Sequence, residues 1–169
     1  MSLAEKKKMM SGMIGKINDK GLAYDIGKDM GYALNSFGFN MDFAPVLDVN
    51  SNPNNTVIGD RSFSNDKYIV ANLGVSQING FNSSNIISVA KHFPGHGDTD
   101  TDSHYGLPII KKSLEQLKEL EFIPFKKAIE EEKTLSEIPY ICKKEGRFAG
   151  TLRRNISTML DELELNKYL

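Results

Sequence analysis

The segment from Lys91 to His104 carries the densest set of reactive side chains in the sequence. Its fourteen residues include all three histidines of the chain and three of its aspartates. Imidazole and carboxylate groups transfer protons near neutral pH and also bind metal ions. If the chain performs catalysis, the chemistry is therefore expected in this segment.

Asp102 and His104 are the pair whose spacing points most directly to acid/base catalysis. In an extended segment, side chains two residues apart face the same side, so this carboxylate can reach the imidazole. A carboxylate bonded to one ring nitrogen fixes the tautomer, raises the imidazole pKa and leaves the other nitrogen to exchange a proton. An Asx-type turn beside an exposed histidine is the alternative, and the tripeptide alone favours it.

The same segment allows two other interpretations, a metal site and a phosphate site. A metal-dependent hydrolase would draw its ligands from His92, His96, Asp98, Asp100 and Asp102. The turn expected at Pro94–Gly95 keeps the two histidines off a common helical face, unlike the helical zinc motifs. The glycines beside His96 could hold a phosphate through backbone N–H groups, but the run matches neither a P-loop nor a dinucleotide fingerprint.

Two short apolar runs, Met41–Leu47 and Ile86–Ala90, predict buried strands. Both runs are apolar on both faces and alternate with helical segments, which is typical of a parallel sheet covered by helices. The expected fold class is therefore α/β. A third strand is less distinct, at Ile138–Cys142.

Polar residues follow both predicted strands. Asp48 ends the first strand, Arg61 lies in the long loop after it, and Lys91 and His92 close the second. In α/β folds, the loops at the carboxyl ends of the strands build the functional site. For Arg61 and Lys91, an ion pair with a structural aspartate and contact with a ligand are equal alternatives from the residues alone.

Local signals delimit the first helices. An amphipathic helix is predicted over residues 4–17, and a second one between Asp19 and Gly38. A third helix is expected to begin at a Ser64 N-cap and to end at Asn79–Gly80. The second helix contains four small residues that indicate close packing: Gly21, Ala23, Gly27 and Gly31.

Two further helices are predicted after the reactive segment. Ser113 and Gln116 form the pattern of a capping box, and Pro124 suits the first turn of the helix that follows. Residues 134–169 form an unassigned tail in which Ser157 is expected to cap a last helix.

Composition excludes several classes of protein. With 21 basic and 22 acidic residues among 169, the chain has no net field that would attract nucleic acid or an anionic membrane. It contains no apolar run of transmembrane length and no signal-peptide pattern, so an intracellular, cytoplasmic protein is expected. The single cysteine, Cys142, excludes an internal disulfide. Met1–Leu3 could be an expression scar.

Several separate blocks of the sequence resemble glycoside hydrolase family 3, and more narrowly its β-N-acetylhexosaminidase branch. The blocks occur in the family's order between about Gly21 and about Glu131. They are Asn40–Asn50, Asn52–Asn55, Ile58–Phe63, Lys91–His104 and Leu107–Pro108.

The resemblance implies a TIM-type (β/α) barrel and retaining hydrolysis of terminal β-linked N-acetylglucosamine from glycans or cell-wall fragments. It implies that His104 is the general acid/base and Asp102 its orienting partner. Arg61, Lys91 and His92 match the positions that hold the hydroxyl groups of the sugar. The family needs no metal, and no cofactor is expected.

The chain departs from the family in length. A closed barrel of this kind takes about 250 residues, so the parallel strands and helices expected here form a partial barrel too short to close. An N-terminal helix (1–20), a barrel segment (21–133) and the tail (134–169) are the expected divisions. No nucleophilic aspartate is identifiable, so an inactive fragment or truncated copy is expected, with self-association through exposed strand edges. A noncatalytic sugar-binding or scaffold protein remains the alternative.

Overall fold

Five helices and two short parallel strands make up the described part of the chain. The structure is a computed structural model that describes residues 10–98 and 112–131. The elements in chain order are α1 (Ser11–Ile17), α2 (Lys20–Ser36), β1 (Met41–Asp42), a 3-10 turn (Gly59–Arg61), α3 (Lys67–Ser83), β2 (Ile87–Ser88), α4 (Leu114–Glu119) and α5 (Phe122–Glu131). Several predictions lie outside the described residues: the start of the first helix, Asp100, Asp102, His104, the third strand and the tail.

The two strands pair in parallel, as predicted, with Met41 opposite Ile87 and Asp42 opposite Ser88. They are shorter than the predicted runs, and the pairing resumes only at an isolated bridge between Val46 and Lys91. Proline has no N–H to give to a ladder, so Pro45 contributes only its carbonyl oxygen, which accepts from Lys91 N at 3.1 Å.

The predicted α/β class is therefore confirmed to the extent that parallel strands alternate with helices. The described residues are mostly helical and hold one two-stranded sheet. A partial barrel remains a prediction, because two strands do not define a barrel's curvature or closure.

Helix α2 begins and ends where the sequence predicts. Asp19 is the N-cap, and its side chain accepts from the backbone N–H of Gly21 and Leu22. After the helix ends at Ser36, Gly38 takes a positive φ of 85°, the left-handed conformation that glycine adopts without strain.

The predicted limits of helix α3 were wrong at both ends. Asp66, not Ser64, is the N-cap, because the Asp66 carboxylate accepts from the N–H of Tyr68 and Ile69. The Ser64 hydroxyl instead accepts from Asp66 N at 3.0 Å and so supports the cap from outside the helix. The helix also runs through Gly80 to Ser83, because Gly80 is a contact with α2 and not a stop signal.

Helices α2 and α3 pack backbone against backbone through their glycines. A Cβ at Gly27 would overlap the Gln77 carbonyl oxygen, and one at Gly80 would overlap the Tyr24 carbonyl oxygen. The close packing predicted from the small residues of α2 is confirmed at Gly27 and Gly31. Only glycine, which has no Cβ, allows the two helix axes to approach this closely at these positions.

The core lies between this helix pair, the strand ends and α5. Its buried members include Ile26 on α2, Leu73 and Ile78 on α3, Leu47 after β1, and Phe125 on α5. The capping box of α4 is confirmed, with Ser113 Oγ accepting from Gln116 N and the Gln116 side chain accepting from Ser113 N. Pro124 lies in the first turn of α5, as predicted. None of the described helices is long and apolar enough to cross a membrane.

Candidate functional site

Asp48 lies at the centre of the polar cluster that forms where the two strands end. Its side chain is fully buried, at 0% exposure. Oδ2 lies 2.6 Å from His92 Nδ1, while Oδ1 accepts from His92 N at 3.2 Å and from His96 N at 2.8 Å. One carboxylate thus joins the end of the first strand region to the turn that follows the second.

The 3-10 turn Gly59–Arg61 brings Arg61 to the same place. Arg61 Nη2 lies 3.4 Å from His92 Nε2, and Nη1 donates to the Val57 carbonyl oxygen at 3.2 Å. Next to it, the Ser62 hydroxyl donates to the Asp48 carbonyl oxygen at 2.6 Å. The long loop therefore folds back onto the strand end that it leaves.

Lys91 borders a pocket of about 240 Å³ that Arg61 also lines. The lining also includes apolar residues, among them Ile14, Met30 and Phe43, and the polar residues Asp60 and Gln77. Within residues 10–98 and 112–131, neither Lys91 nor Arg61 forms an ion pair with a carboxylate. The structural ion-pair alternative therefore has no support in the described part of the chain. Both cations face space that a ligand could occupy.

The loop after Asp48 and the turn after His92 are interlocked by asparagines. Asn55 Nδ2 donates to the His96 carbonyl oxygen at 2.7 Å, while Asn55 Oδ1 accepts from Val57 N and Ile58 N. Asn52 N donates to the Gly97 carbonyl oxygen at 3.2 Å. The sequence indicated only a turn at Asn52–Asn55, and the density of asparagine side chains was its one sign of this second role.

A buried ion pair supports the turn from the other side. Lys112 Nζ lies 2.6 Å from Glu121 Oε1 and 3.4 Å from Asp98 Oδ2. Glu121 is only 2% exposed, and its methylenes fill the space that a side chain at Gly95 would need. Neither Lys112 nor Glu121 was predicted to belong to the site, because nothing in their local sequence distinguishes them from surface helix residues.

The structure brings three of the five predicted site residues to one place: Arg61, Lys91 and His92. The other two, Asp102 and His104, lie outside the described residues, so their pairing remains a prediction. Asp98 and Lys112, which flank their segment, are in contact with each other.

The metal interpretation draws on the same histidines. The rings of His92 and His96 are 5.7 Å apart between centroids, and Asp48 occupies Nδ1 of His92. Among the residues that the structure describes, no group of three or more His, Cys, Asp or Glu side chains could hold a metal ion. Asp100 and Asp102 are not among those residues.

Comparison with known proteins identifies the family. The model of the glycosyl hydrolase family 3 N-terminal domain matches residues 3–138. Beta-hexosaminidase A of Pseudoalteromonas piscicida is 45% identical over 107 residues, which are 63% of this chain and 18% of that protein. Beta-hexosaminidase LpqI of Mycobacterium tuberculosis is 37% identical over 102 residues, 60% of this chain and 26% of that protein. The chain thus spans less than a third of these curated relatives.

Solved structures agree with this match. A family 3 β-N-acetylglucosaminidase from Paenibacillus sp. FPU-7 is 43% identical with a TM-score of 0.71, covering 72% of this chain and 23% of that one. Zinc-bound CbsA from Thermotoga neapolitana is 37% identical with a TM-score of 0.65, covering 69% and 25%. The resemblance seen in the sequence blocks is confirmed. The chain belongs to glycosyl hydrolase family 3.

Proposed function

We propose that this chain supplies the sugar-binding and proton-transfer part of a β-N-acetylhexosaminidase site, acting on terminal β-linked N-acetylglucosamine. One observation carries the proposal. Arg61 and His92 are 31 residues apart in the chain, yet Arg61 Nη2 lies 3.4 Å from His92 Nε2, and Arg61 and Lys91 line the same pocket. The named activities of the similar proteins support the same substrate class.

The described side chains suit a sugar. Guanidinium and ammonium groups donate hydrogen bonds to hydroxyl oxygens, and apolar side chains in the lining of the same pocket suit the face of a pyranose ring. His104, oriented by Asp102, would protonate the oxygen of the leaving group. Retention then requires a carboxylate nucleophile on the other side of the sugar.

The isolated chain is expected to have negligible glycosidase activity, because its sequence offers no identifiable nucleophile. Incubation with an aryl β-N-acetylglucosaminide, followed by release of the phenol, tests this. Turnover at an enzyme-like rate that is abolished by His104→Ala would contradict the proposal of inactivity.

Sugar binding can be measured without turnover. Titration with N-acetylglucosamine, followed by NMR shifts, should give weak binding that Arg61→Met or Lys91→Met reduces about ten-fold, the loss of one charge-assisted hydrogen bond. Lys126→Met, on the exposed side of α5, is the matched control. Binding that neither substitution weakens would place the sugar away from Arg61 and Lys91 and contradict the proposed site, and no binding at all would favour a scaffold role.

A metal-dependent hydrolase is the second candidate, favoured by the similarity to zinc-bound CbsA. The Arg61 guanidinium lies beside the remaining ring nitrogen of His92, and its positive charge opposes a cation there. Metal analysis of the purified chain, with zinc titration of His92→Gln, distinguishes the two candidates. Stoichiometric zinc that is lost in this variant would favour the metal site.

We also propose that the chain self-associates. Asn40 and Asp42 accept from Ile87 and Val89, so the next residue, Phe43, turns its backbone to the outer edge of β1. The Phe43 side chain is 58% exposed. An open apolar edge favours pairing with another copy. Sedimentation that gives a well-ordered monomer at high concentration would count against it.

A further inference from the structure

We propose that Asp48 is a positioning residue that holds His92 in one tautomer, so that His92 Nε2 accepts a hydrogen bond from a hydroxyl group of the ligand. This rests on the proposed function for the identity of the ligand. The tautomer itself rests only on the geometry of the site.

The first step is the identity of the ring nitrogen that carries the proton. Asp48 Oδ1 already accepts two backbone N–H groups, from His92 and His96, and Oδ2 lies 2.6 Å from His92 Nδ1. An ionised carboxylate only accepts hydrogen bonds, so Nδ1 must donate. In the neutral ring, Nε2 then carries a lone pair that can accept a hydrogen bond.

Arg61 supplies independent support for this assignment. Its Nη2 lies 3.4 Å from Nε2, and a guanidinium only donates. An N–H on Nε2 would point at another donor. The contacts on the two sides of the ring therefore select the same tautomer.

The second step concerns the class of ligand. The His92 side chain is 36% exposed, so Nε2 can be reached from solvent. Arg61 and Nε2 are paired with each other at 3.4 Å, a long contact that a ligand can replace. A hydroxyl group accepts from Arg61 and donates to Nε2, so it satisfies both groups. A sulfate or carboxylate accepts from Arg61 but has no proton to donate, so it would leave the lone pair of Nε2 unpaired.

Asp48 also contributes to this selectivity through its charge. The Arg61 and Lys91 side chains alone would attract anions, and the buried negative charge of Asp48 offsets part of that field. The sequence placed Asp48 at the strand end but assigned it no role. Its contacts lie 44 and 48 residues away, beyond the reach of local patterns.

The test is the tautomer of His92 in the free chain, read from long-range ¹H–¹⁵N NMR spectra and assigned with His92→Gln. The wild-type chain should show a protonated Nδ1 and an unprotonated Nε2. In Asp48→Asn, the amide oxygen is expected to accept the two backbone N–H groups, which turns the amide N–H₂ toward Nδ1. The ring should then change to the Nε2–H tautomer, because Nδ1 must now accept.

Asp42→Asn, the same change on β1 opposite Ser88, should leave the tautomer unchanged. A wild-type ring protonated on Nε2, or the same tautomer in Asp48→Asn as in wild type, would overturn the proposal. The wild-type spectrum decides the first point even if Asp48→Asn does not fold.

Ligand titration tests the second step separately. N-acetylglucosamine should perturb the His92 signals of the wild-type chain more strongly than sulfate does. Asp48→Asn should weaken N-acetylglucosamine about ten-fold, the value of one lost hydrogen bond in a site with charged groups, and strengthen sulfate. Equal perturbation of the wild type by both ligands would refute hydroxyl selectivity. If the predicted tautomer is found but N-acetylglucosamine does not bind, the proposed function fails and the role of Asp48 in positioning the ring stands.

Discussion

The helix pair α2–α3 and the polar cluster around Asp48 are held together in different ways. The helices meet through glycines whose missing side chains let backbone touch backbone. In the cluster, side chains of Asp48, Asn55 and Ser62 bond to the backbone of distant segments. Close steric packing holds the helix pair together, whereas specific hydrogen bonds hold the polar cluster together. The helix contact is therefore most sensitive to steric overlap, whereas the site is most sensitive to the loss of single hydrogen bonds.

The largest effect is expected from Gly80→Ala in the helix pair. Its new Cβ would meet the backbone of Tyr24 and Lys28, which cannot move independently of helix α2. Overpacking of this kind should lower the free energy of unfolding by about 3 kcal/mol. Urea unfolding followed by circular dichroism measures it.

Gly21→Ala is the matched control, because a Cβ there would meet only the Asp19 carboxylate. It should leave stability unchanged or raise it by about 0.5 kcal/mol, since alanine favours helix. Equal losses at the two positions would mean that the helix pair is not fixed by close backbone contact.

Lys112→Met tests the polar region. It leaves the buried Glu121 carboxylate without its cation, and an uncompensated buried charge costs free energy. Because Lys112 is partly exposed, the loss should be about 2 kcal/mol. Hydrogen exchange should locate the change in the turn around Gly95–His96, while α2 and α3 keep their protection.

The double variant Lys112→Met/Glu121→Met should recover most of that loss, because no charge is then left buried. A double variant that is as unstable as the sum of the single ones would show that the two residues act independently.

Ser113→Ala should have a smaller effect, about 1 kcal/mol, because it removes one side of the capping box of α4. Ser36→Ala removes a hydroxyl that donates only to the Ala33 carbonyl oxygen, and it should change stability by less than about 0.5 kcal/mol. Thermal unfolding of both variants makes the comparison. Equal effects would contradict a capping role for Ser113.

The smallest effect concerns Glu115 in the same turn. Hydrogen bonds from its own backbone N–H and from Ser113 lower the pKa of this exposed carboxyl below its ordinary value of 4.5. A lowered pKa stabilises the fold above pH 4.5, and that contribution is lost as the pH falls through the pKa of the folded state. An NMR titration of the carboxyl carbon should show the lowered pKa, and Ser113→Ala should raise it. A pKa at or above 4.5 in the wild type would contradict this account.

The sequence predicted best where the signal and its partner are close together in the chain. The Asp19 cap, the Ser113–Gln116 box and the glycine after α2 all act within a few residues. The prediction of a Ser64 N-cap was wrong because two possible cap residues lie close together in the chain. Ser64 is a good cap residue, but Asp66 lies two positions nearer the helix and accepts the helix N–H groups more directly.

The sequence named candidate site residues but not the contacts that hold them, and the site roles of these residues remain predictions. Family blocks indicated Arg61, Lys91 and His92, and the structure brings these three together. The partners that hold them, Asp48 and Asn55, reach across more than 40 residues of chain. No period or cap pattern encodes such a contact. Whether a lysine or a glutamate is buried also depends on the whole fold, which is why Lys112 and Glu121 were missed.

The buried position of Asp48 has a consequence for the order of folding. Among the residues that the structure describes, the partners of its carboxylate lie 44 and 48 residues later in the chain. Closing a loop of that length costs entropy before any hydrogen bond forms, so such contacts form late. During synthesis, this carboxylate stays in water until the turn at His92–His96 has emerged. The site therefore cannot become native until the 48 residues that follow Asp48 have been synthesised.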